Sequence, residues 1–218
     1  MTKQILILGA TGQIAGHAIK ALLQDSDGHL LLFTRHPQHL TVVDEDRETV
    51  IKGDTLKMDE LDAAVAQADA VYVNLRNPSI AQQAQNIVRA MDKHGVKQLV
   101  WISSIGIYDE VPGKFGEWNN AELGGGQSDS YLGTYRQAAD VVTNSDLDYT
   151  IIRPAWLTDK DEVDYETTAR GEAFKGTEVS RKSIGNFVAK ILENPAKYAR
   201  KDFGVDKPGT AGDKPAWY

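Results

Sequence analysis

The chain has 218 residues, 41% of them hydrophobic and 25% charged, which is ordinary for a globular protein with a sizeable core. Its net charge of -7 argues against nucleic acid or an anionic membrane as the main partner, because both select for clustered lysine and arginine. The absence of cysteine excludes disulfides, a thiolate nucleophile and cysteine-ligated metals.

The same features predict a cytoplasmic protein that acts on small molecules. No basic segment and apolar signal precede the first predicted strand, and no apolar run approaches the roughly 18 residues of a membrane span. The five histidines show no pair at metal-ligand spacing with supporting carboxylates, so no metal is expected. We expect a small-molecule substrate, no nucleic acid, no membrane, and a monomer or homodimer.

A glycine-rich turn near the N-terminus joins a predicted strand to a predicted helix. Gln4 to Leu8 is an apolar run of strand length, and apolar residues at helical spacing begin at Ile14. Gly9 permits the sharp turn, Gly12 leaves the backbone open to a pyrophosphate, and Ala15 stands where a third glycine would allow close packing. An ordinary glycine turn also fits, but this context favours dinucleotide phosphates at the helix N-terminus. The predicted cofactor-binding residues of this turn are Gly9, Thr11, Gly12, Gln13 and Ile14.

Strands and helices alternate along the rest of the chain. Further strands are predicted at His29 to Thr34, Thr49 to Lys52, Ala70 to Leu75, Gln98 to Ile102 and Tyr149 to Arg153. Helices are predicted through Leu61 to Ala68, from Ser79 to His94 with a Gly95 cap, from Tyr131 to Ser145, and from a Ser183 N-cap to Asn194. Apolar strands separated by helices indicate a parallel sheet that is covered on both faces.

The regular pattern stops between Asp109 and Ser130. Pro112 and the run Gly124-Gly125-Gly126 interrupt it, and a loop of this length in a compact domain is usually functional or disordered. We therefore expect a mobile lid over the reacting end of the cofactor, with Trp118 or Phe115 packing on the substrate.

The end of the second predicted strand decides between the two nicotinamide dinucleotides. An acidic residue at this point would hydrogen-bond the ribose 2′-hydroxyl of NAD, whereas a basic residue accommodates the 2′-phosphate of NADP. The sequence reads Thr34-Arg35-His36, with no acid before Asp44. A surface arginine is usually just solvated, but this position favours a phosphate contact for the Arg35 guanidinium. NADP is therefore predicted as the cofactor in preference to NAD.

Taken together, these segments resemble the atypical short-chain dehydrogenase/reductases. More narrowly, they are similar to the NAD(P)H-binding, NmrA-like group that includes flavin and biliverdin reductases. The resemblance extends from Met1 to about Leu192 and is carried by Gly9-Ala10-Thr11-Gly12, Thr34-Arg35, Gly53-Asp54, Ser103-Ser104 and Leu147 to Pro154. It implies an α/β, doubly wound parallel-sheet Rossmann fold, as one domain over residues 1–218. We interpret residues 155–218 as a small substrate-side cover and C-terminal tail.

The resemblance also implies roles for individual residues. Asp54 would lie near the adenine of the cofactor, and Asn74 near its ribose. Ser103 and Ser104 would lie near the nicotinamide. Ser104 matches the family's catalytic serine in the pattern Ser-x-x-x-Tyr, which ends here at Tyr108. Its hydroxyl is suited to hydrogen-bond a substrate carbonyl, although a serine that ends a strand often contacts only water.

The chain departs from the wider superfamily at its catalytic dyad. That dyad is Tyr-x-x-x-Lys, in which the lysine lowers the pKa of the tyrosine so that it donates a proton at neutral pH. Here the spacing falls on Tyr131 and Tyr135, and a phenol supplies no positive charge. Arg136 lies one position away, about 100° around the helix. Tyr131 is a candidate catalytic residue, whereas packing is the better interpretation of Tyr135.

Three functions follow from these observations, in descending order. The first is an NADP-dependent oxidoreductase without the Tyr-x-x-x-Lys dyad, which transfers hydride to a small conjugated acceptor such as a flavin or quinone. Such acceptors tolerate the missing lysine because their own π-system takes up the incoming charge. The second is a non-catalytic, dinucleotide-binding regulator that senses redox state. A nucleotide-sugar epimerase or dehydratase ranks third, because those enzymes rely on the dyad.

Overall fold

Strands and helices alternate through the computed structural model, which describes residues 2–76 and 78–218. Met1, the first residue of the predicted domain, and Asn77 lie outside the described residues. The strands are β1 (Gln4–Leu8), β2 (His29–Thr34), β3 (Glu48–Lys52), β4 (Ala70–Val73), β5 (Gln98–Ile102), β6 (Asp148–Pro154), β7 (Trp156–Thr158), β8 (Glu166–Ala169), β9 (Glu178–Ser180) and β10 (Lys201–Asp206). The helices are α1 (Gln13–Asp25), α2 (Met58–Val65), α3 (Ile80–His94), α4 (Gly113–Leu123), α5 (Tyr131–Thr143), α6 (Arg181–Glu193) and α7 (Pro195–Tyr198), with a 3-10 turn at Pro37–His39.

The central sheet has eight strands in the order β3-β2-β1-β4-β5-β6-β10-β8. All neighbours pair in parallel except β8, which is antiparallel to β10 at the edge. The chain winds outward from β1 to β3 and then, from β4, in the opposite direction. This arrangement confirms the predicted doubly wound α/β Rossmann fold, and it places the reversal of strand order between β1 and β4.

Each face of the sheet carries its own apolar core. Helices α1 and α6 pack together on one face, and α2, α3 and α5 cover the other. The strands between them are buried on both sides, which explains their nearly continuous apolar sequences. Helix α6 crosses α1 closely at Gly185, where an added Cβ would lie 2.6 Å from the Cβ of His17. Only glycine allows this approach without moving a helix.

A buried arginine joins three separate segments on one side of the sheet. Arg153 of β6 donates from Nε to Asp202 of β10 at 2.6 Å and from Nη1 to Glu110 at 2.5 Å. Glu110 in turn accepts the backbone N–H groups of Gly106 at 3.0 Å and Tyr108 at 2.9 Å. Burial alone would lower the pKa of the Arg153 guanidinium, but the two carboxylates outweigh burial and the pKa is raised. The turn after β5 is therefore fixed against β6 and β10.

The expectation that residues 109–130 lack regular structure is wrong. The segment contains α4, and Gly124 ends that helix in the left-handed conformation, with a φ of 76°. The glycines that interrupt the pattern thus include a helix cap, which is a common position for glycine. Phe115 is buried in the core, and the Trp118 ring stacks on it with centroids 6.0 Å apart. Core packing of α4 therefore accounts for Phe115.

The C-terminal segment contributes more to the sheet than the sequence predicts. Strand β10 pairs with β6 and β8 inside the central sheet, although residues 155–218 are expected to form only a cover and tail. Strands β7 and β9 form a separate parallel pair beside it. The N-cap of α6 is Ser180, whose hydroxyl accepts the N–H of Ser183 at 2.9 Å, so the predicted Ser183 cap is three residues too late. Within the described ranges, no helix has the length and apolar character of a bilayer-spanning segment.

Asp206, the last residue of β10, is a fully buried carboxyl. Burial, and after it the nearby Glu166 carboxylate, raise the pKa of this carboxyl to about 6, against the opposing effects of the Gly176 N–H and Lys175. Its pKa in the unfolded chain is about 3.9. The folded state therefore binds more protons between these values, and stability falls as the pH rises from about 4 through about 6.

Replacing Asp206 with Asn is expected to stabilise the protein at pH 8 and to change little at pH 4. The Asn side chain carries no charge to bury, and a shift of about two pKa units corresponds to a gain of up to about 3 kcal/mol. Urea denaturation of both proteins at both pH values measures this difference. The exposed Asp27→Asn change is the control and should show no pH-dependent gain. A gain of equal size at pH 4 and pH 8 would contradict the assignment to Asp206.

Candidate functional site

Two cavities open side by side at the carboxyl ends of the central strands. The inner cavity, of about 430 Å³, adjoins the ends of β5 and β6; the outer cavity, of about 440 Å³, adjoins the ends of β2 and β3. They share a rim formed by Thr11, Gly12, Asn74, Leu75, Arg76 and Tyr131. Open parallel sheets bind ligands at this edge, beside the reversal of strand order.

The glycine turn between β1 and α1 is built against Asn74. Gly9 has a φ of 85°, and its carbonyl accepts the N–H of Gly12 at 2.9 Å. An added Cβ at Gly9 would lie 2.4 Å from the Asn74 carbonyl oxygen, and one at Gly12 would lie 2.0 Å from the Asn74 amide nitrogen Nδ2. Both glycines are therefore required for packing on Asn74, besides leaving the turn open to a ligand.

The N-terminus of α1 faces the cavities without an internal capping group. Gly12 is its N-cap, no side chain caps it, and its first turn contains no acidic residue. Gln13 and Ile14 of that turn line the inner cavity. Helix N-termini carry unpaired N–H groups and a partial positive charge, so this one suits a phosphate anion. The arrangement fits the pyrophosphate of a dinucleotide.

The outer cavity is lined by a basic and an acidic residue. Arg35, directly after β2, is exposed, and among the described residues it has no carboxylate partner. Asp54, which follows β3, also lines this cavity, and its Oδ1 accepts the N–H of Leu56 at 3.0 Å. The end of β2 therefore presents a cation to the cavity, while the acidic group belongs to the turn one strand further out.

The inner cavity presents two serine hydroxyls from the end of β5. Ser104 donates from Oγ to the carbonyl oxygen of Ile105 at 3.3 Å. The Oγ of Ser103 is buried and has no hydrogen-bond partner in the described part of the chain. A buried polar atom is rarely left unpaired, so this hydroxyl fits a polar group of a ligand such as a carboxamide.

The two tyrosines at the dyad spacing form a pair at the inner cavity. Their ring centroids are 4.5 Å apart; Tyr131 is 39% exposed, whereas Tyr135 is buried and donates to the Leu75 carbonyl at 3.3 Å. Burial raises the pKa of Tyr135, and the neighbouring Tyr131 raises it further. Arg136 is directed away, with Nε on the Asp140 carboxylate at 2.9 and 3.1 Å. It does not replace the missing lysine.

All of the predicted site residues lie on these two cavities. The outer cavity alone contains Gly9, Arg35 and Asp54. The shared rim contains Thr11, Gly12, Asn74 and Tyr131. The inner cavity alone contains Gln13, Ile14, Ser103 and Ser104. The structure thus brings the predicted cofactor residues and both candidate catalytic residues to one edge of the sheet.

Several lining residues are not predicted from the sequence, and three of them bear on the chemistry of the site. Arg76 lines both cavities just after β4, and its position beyond a buried strand is a signal that could have identified it. Trp156 and Arg181 line the inner cavity from β7 and α6, in a region where the sequence pattern predicts no clear strands. Neither Phe115 nor Trp118 is among the described lining residues, which overturns the expectation that one of them packs on the substrate.

Comparison with known proteins identifies similar sequences and folds. A model of NAD(P)H-binding proteins matches residues 9–195. A Rossmann-fold NAD(P)-binding family protein from Shigella flexneri is 39% identical, with a TM-score of 0.84 over 99% of this chain and 98% of that chain. A short-chain dehydrogenase/reductase from Veillonella parvula DSM 2008 is 31% identical, with a TM-score of 0.90 over 100% of both chains. A second structure of a short-chain dehydrogenase/reductase (wide type) from the same organism, in complex with NADP, is 32% identical, with a TM-score of 0.89 over 99% of this chain and 100% of that chain. No curated protein matches the chain.

Replacing Gly12 with Ala is expected to weaken NADPH binding by about tenfold or more, which is a loss of about 1.4 kcal/mol. The added Cβ would displace the Asn74 side chain, which lies 2.0 Å away on the rim of both cavities. Gly12 has a φ of -70° and a ψ of 147°, which alanine also adopts, so the variant should fold. Titration of NADPH by fluorescence measures the affinity.

Gly16→Ala, one turn further along α1, is the matched control. An added Cβ at Gly16 meets no atom within 4 Å, so NADPH affinity should be unchanged. The alanine should stabilise the helix by roughly 0.5 to 1 kcal/mol, because glycine is the poorer helix former. Equal NADPH affinities in the two variants would show that the Gly12–Asn74 packing does not position the cofactor.

Proposed function

The chain belongs to the NAD(P)H-binding family, and on that premise we propose that it is an NADPH-dependent oxidoreductase acting on a small conjugated acceptor. The acceptor class that we propose includes flavins, quinones and similar ring systems. The observation that carries the proposal is the pair of cavities joined at one glycine turn. The outer cavity would take the adenosine end of the cofactor, and the inner cavity its nicotinamide together with the acceptor.

Arg35 supports NADPH rather than NADH as the cofactor. Its exposed guanidinium lines the outer cavity directly after β2, where an NAD-specific fold has a carboxylate for the ribose hydroxyls. A guanidinium in that place suits the 2′-phosphate, which it can bind through a charge-assisted fork of N–H donors. The NADP bound to the similar Veillonella protein is consistent with this choice.

In the inner cavity the protein's own contribution is orientation rather than acid catalysis. NADPH, when bound, supplies the hydride. The unpaired Ser103 hydroxyl would hold the carboxamide of the nicotinamide, and the Ser104 hydroxyl, which already donates to Ile105, would interact with a polar edge of the acceptor. Fixing the two rings in a reactive geometry lowers the entropic part of the barrier. Tyr135 stands at the lysine position of the dyad, so the reaction should suit acceptors that need no proton donor.

The missing lysine also favours a second candidate, a dinucleotide-binding regulator without turnover. The specific observation is that Tyr135 occupies the lysine position and is buried. Steady-state oxidation of NADPH with a panel of flavins and quinones separates the two functions. Turnover with any acceptor supports the oxidoreductase. Tight binding that distinguishes NADPH from NADP⁺, without turnover, supports the regulator.

Arg35→Ala is expected to weaken NADPH binding by about 1.5 to 3 kcal/mol and to change NADH binding little. Only NADPH carries the 2′-phosphate that the guanidinium would contact. Isothermal titration of both cofactors against the wild-type and variant proteins measures the two losses. Arg89→Ala, which removes an exposed arginine of α3 outside both cavities, is the control. Equal losses for NADPH and NADH would show that Arg35 does not bind the 2′-phosphate.

Tyr131→Phe is expected to raise the barrier to hydride transfer by less than about 1 kcal/mol, and Ser104→Ala by roughly 1 to 2 kcal/mol. The lysine of the dyad is replaced by Tyr135, so we expect no proton donation that depends on Tyr131, and the loss of its hydroxyl should cost little. The serine needs no pKa shift in order to orient a carbonyl or an amide. The measurement is kcat/KM for both variants with an acceptor that turns over, after circular dichroism has confirmed folding. A collapse of activity in Tyr131→Phe alone would identify Tyr131 as a proton donor.

A further inference from the structure

The inner cavity is cationic in a protein that is acidic overall. The chain has 31 aspartates and glutamates against 24 lysines and arginines, yet none of the described residues lining this cavity is acidic. Its two charged lining residues are Arg76 and Arg181. A low-dielectric cavity lined by charges of one sign concentrates ligands of the opposite sign. The occupant of this cavity is therefore expected to carry negative charge.

The two arginines differ in the space that they face. Arg76 lies on the rim shared by both cavities, beside the glycine turn and therefore beside the path of a dinucleotide. Arg181 lines the inner cavity only. It is the first residue of α6, directly after Ser180, which pairs with Thr158 in the small β7–β9 sheet. Arg181 is thus the arginine that belongs to the acceptor side.

The guanidinium of Arg181 has further N–H donors that can bind a ligand. Its Nη1 pairs with the Asp159 carboxylate at 2.8 Å, and the side chain of Asp159 is 75% exposed whereas that of Arg181 is 21% exposed. A guanidinium has five N–H donors, and an exposed ion pair is held only weakly. An anion in the cavity can therefore bind the guanidinium together with Asp159, or take the place of Asp159.

Trp156 supplies a rigid aromatic wall to the same cavity. Its indole N–H donates to Asn119 at 2.9 Å, and its ring lies with its centroid 4.7 Å from that of Trp118. Trp156 and Arg181 both belong to the β7–β9–α6 unit, in which Trp156 pairs with Glu178 and Thr158 with Ser180. One structural unit therefore presents a flat apolar surface and a cation to the same ligand.

We propose that the acceptor is a planar, conjugated molecule that carries an acidic group, and that Arg181 binds this group while the ring lies against Trp156. The acidic group is a phosphate, sulfonate or carboxylate. This inference rests on the proposed function in assigning the ligand as the hydride acceptor. Arg181 acts as a specificity-determining residue: it selects charged acceptors over neutral ones and takes no part in the transfer itself.

The test compares acceptors that differ only in the acidic group. The protein is saturated with NADP⁺, and its tryptophan fluorescence reports the binding of two pairs: FMN against riboflavin, and naphthoquinone sulfonate against naphthoquinone. The wild type is expected to bind the anionic member of at least one pair about tenfold more tightly. Arg181→Gln should remove that preference and leave the affinity of the neutral member within roughly twofold. Arg181→Lys, which keeps the positive charge but lacks the paired N–H donors of the guanidinium, should retain part of the preference for the anionic member.

Lys182→Gln is the matched control. It removes the same charge from the next residue of α6, where Lys182 pairs with Asp161 at 2.7 Å and does not line either cavity. It should leave the anion preference intact. The inference is overturned if the wild type shows no preference for an anionic member in either pair, or if Lys182→Gln reduces the preference as much as Arg181→Gln. It is also overturned if Arg181→Gln weakens NADPH binding as strongly as anion binding, because Arg181 would then be a cofactor contact.

Hydride transfer is measured separately with the same two pairs. Anion-selective binding that depends on Arg181, without any oxidation of NADPH, would refute the proposed oxidoreductase and support the anion site. Oxidation of NADPH without anion selectivity would refute the anion site and support the oxidoreductase. If the protein both oxidises NADPH and prefers the anionic acceptor, Arg181→Gln should raise KM for that acceptor about tenfold and leave kcat nearly unchanged.

Discussion

The buried ion pairs of Arg153 hold together the part of the molecule on which the inner cavity depends. The guanidinium sits between Glu110 and Asp202, and all three side chains are at most 4% exposed. Removing one partner of such a group leaves an uncompensated charge in the core, which is far more costly than losing a surface pair. Glu110 fixes the turn that follows Ser103 and Ser104, and Arg153 precedes Pro154 and Ala155 in the cavity wall. The arginine therefore positions two walls of the cavity without lying on its surface.

Asn74 plays the corresponding part for the phosphate-binding turn. Its backbone N–H donates to the Leu8 carbonyl at 2.9 Å, which holds the end of β4 beside the end of β1. Its side chain fills the space that the missing Cβ atom of Gly12 leaves. The glycine pattern is usually explained by the approach of the ligand to the backbone. In this chain the neighbouring strand imposes an equally strict requirement at the same positions, so the turn is already shaped before any ligand binds.

How well the sequence predicts the structure depends on how local the information is. The turn at Gly9 and Gly12 and the strand end at Arg35 are recognisable because a strand, a turn and a helix follow one another within a few residues. Strand β10 is missed because its place is set by pairing with β6, about 50 residues earlier in the chain. Helix α4 is missed because its terminal Gly124 also suits a loop. Arg181 reaches the inner cavity only through the β7–β9 pairing, which no local pattern reveals.

The missing lysine and the cationic cavity have a common physical explanation on the proposed function. Hydride transfer leaves negative charge on the acceptor, and a dehydrogenase with the usual dyad neutralises that charge by donating a proton. Fixed positive charges in a cavity of low dielectric stabilise the same developing charge without any proton transfer. Arg76 supplies such a charge on the rim of the inner cavity, and no acidic residue of the described lining opposes it. On the proposed function Tyr135 can stand at the lysine position, because a conjugated ring spreads the developing charge over atoms that the Arg76 guanidinium can stabilise.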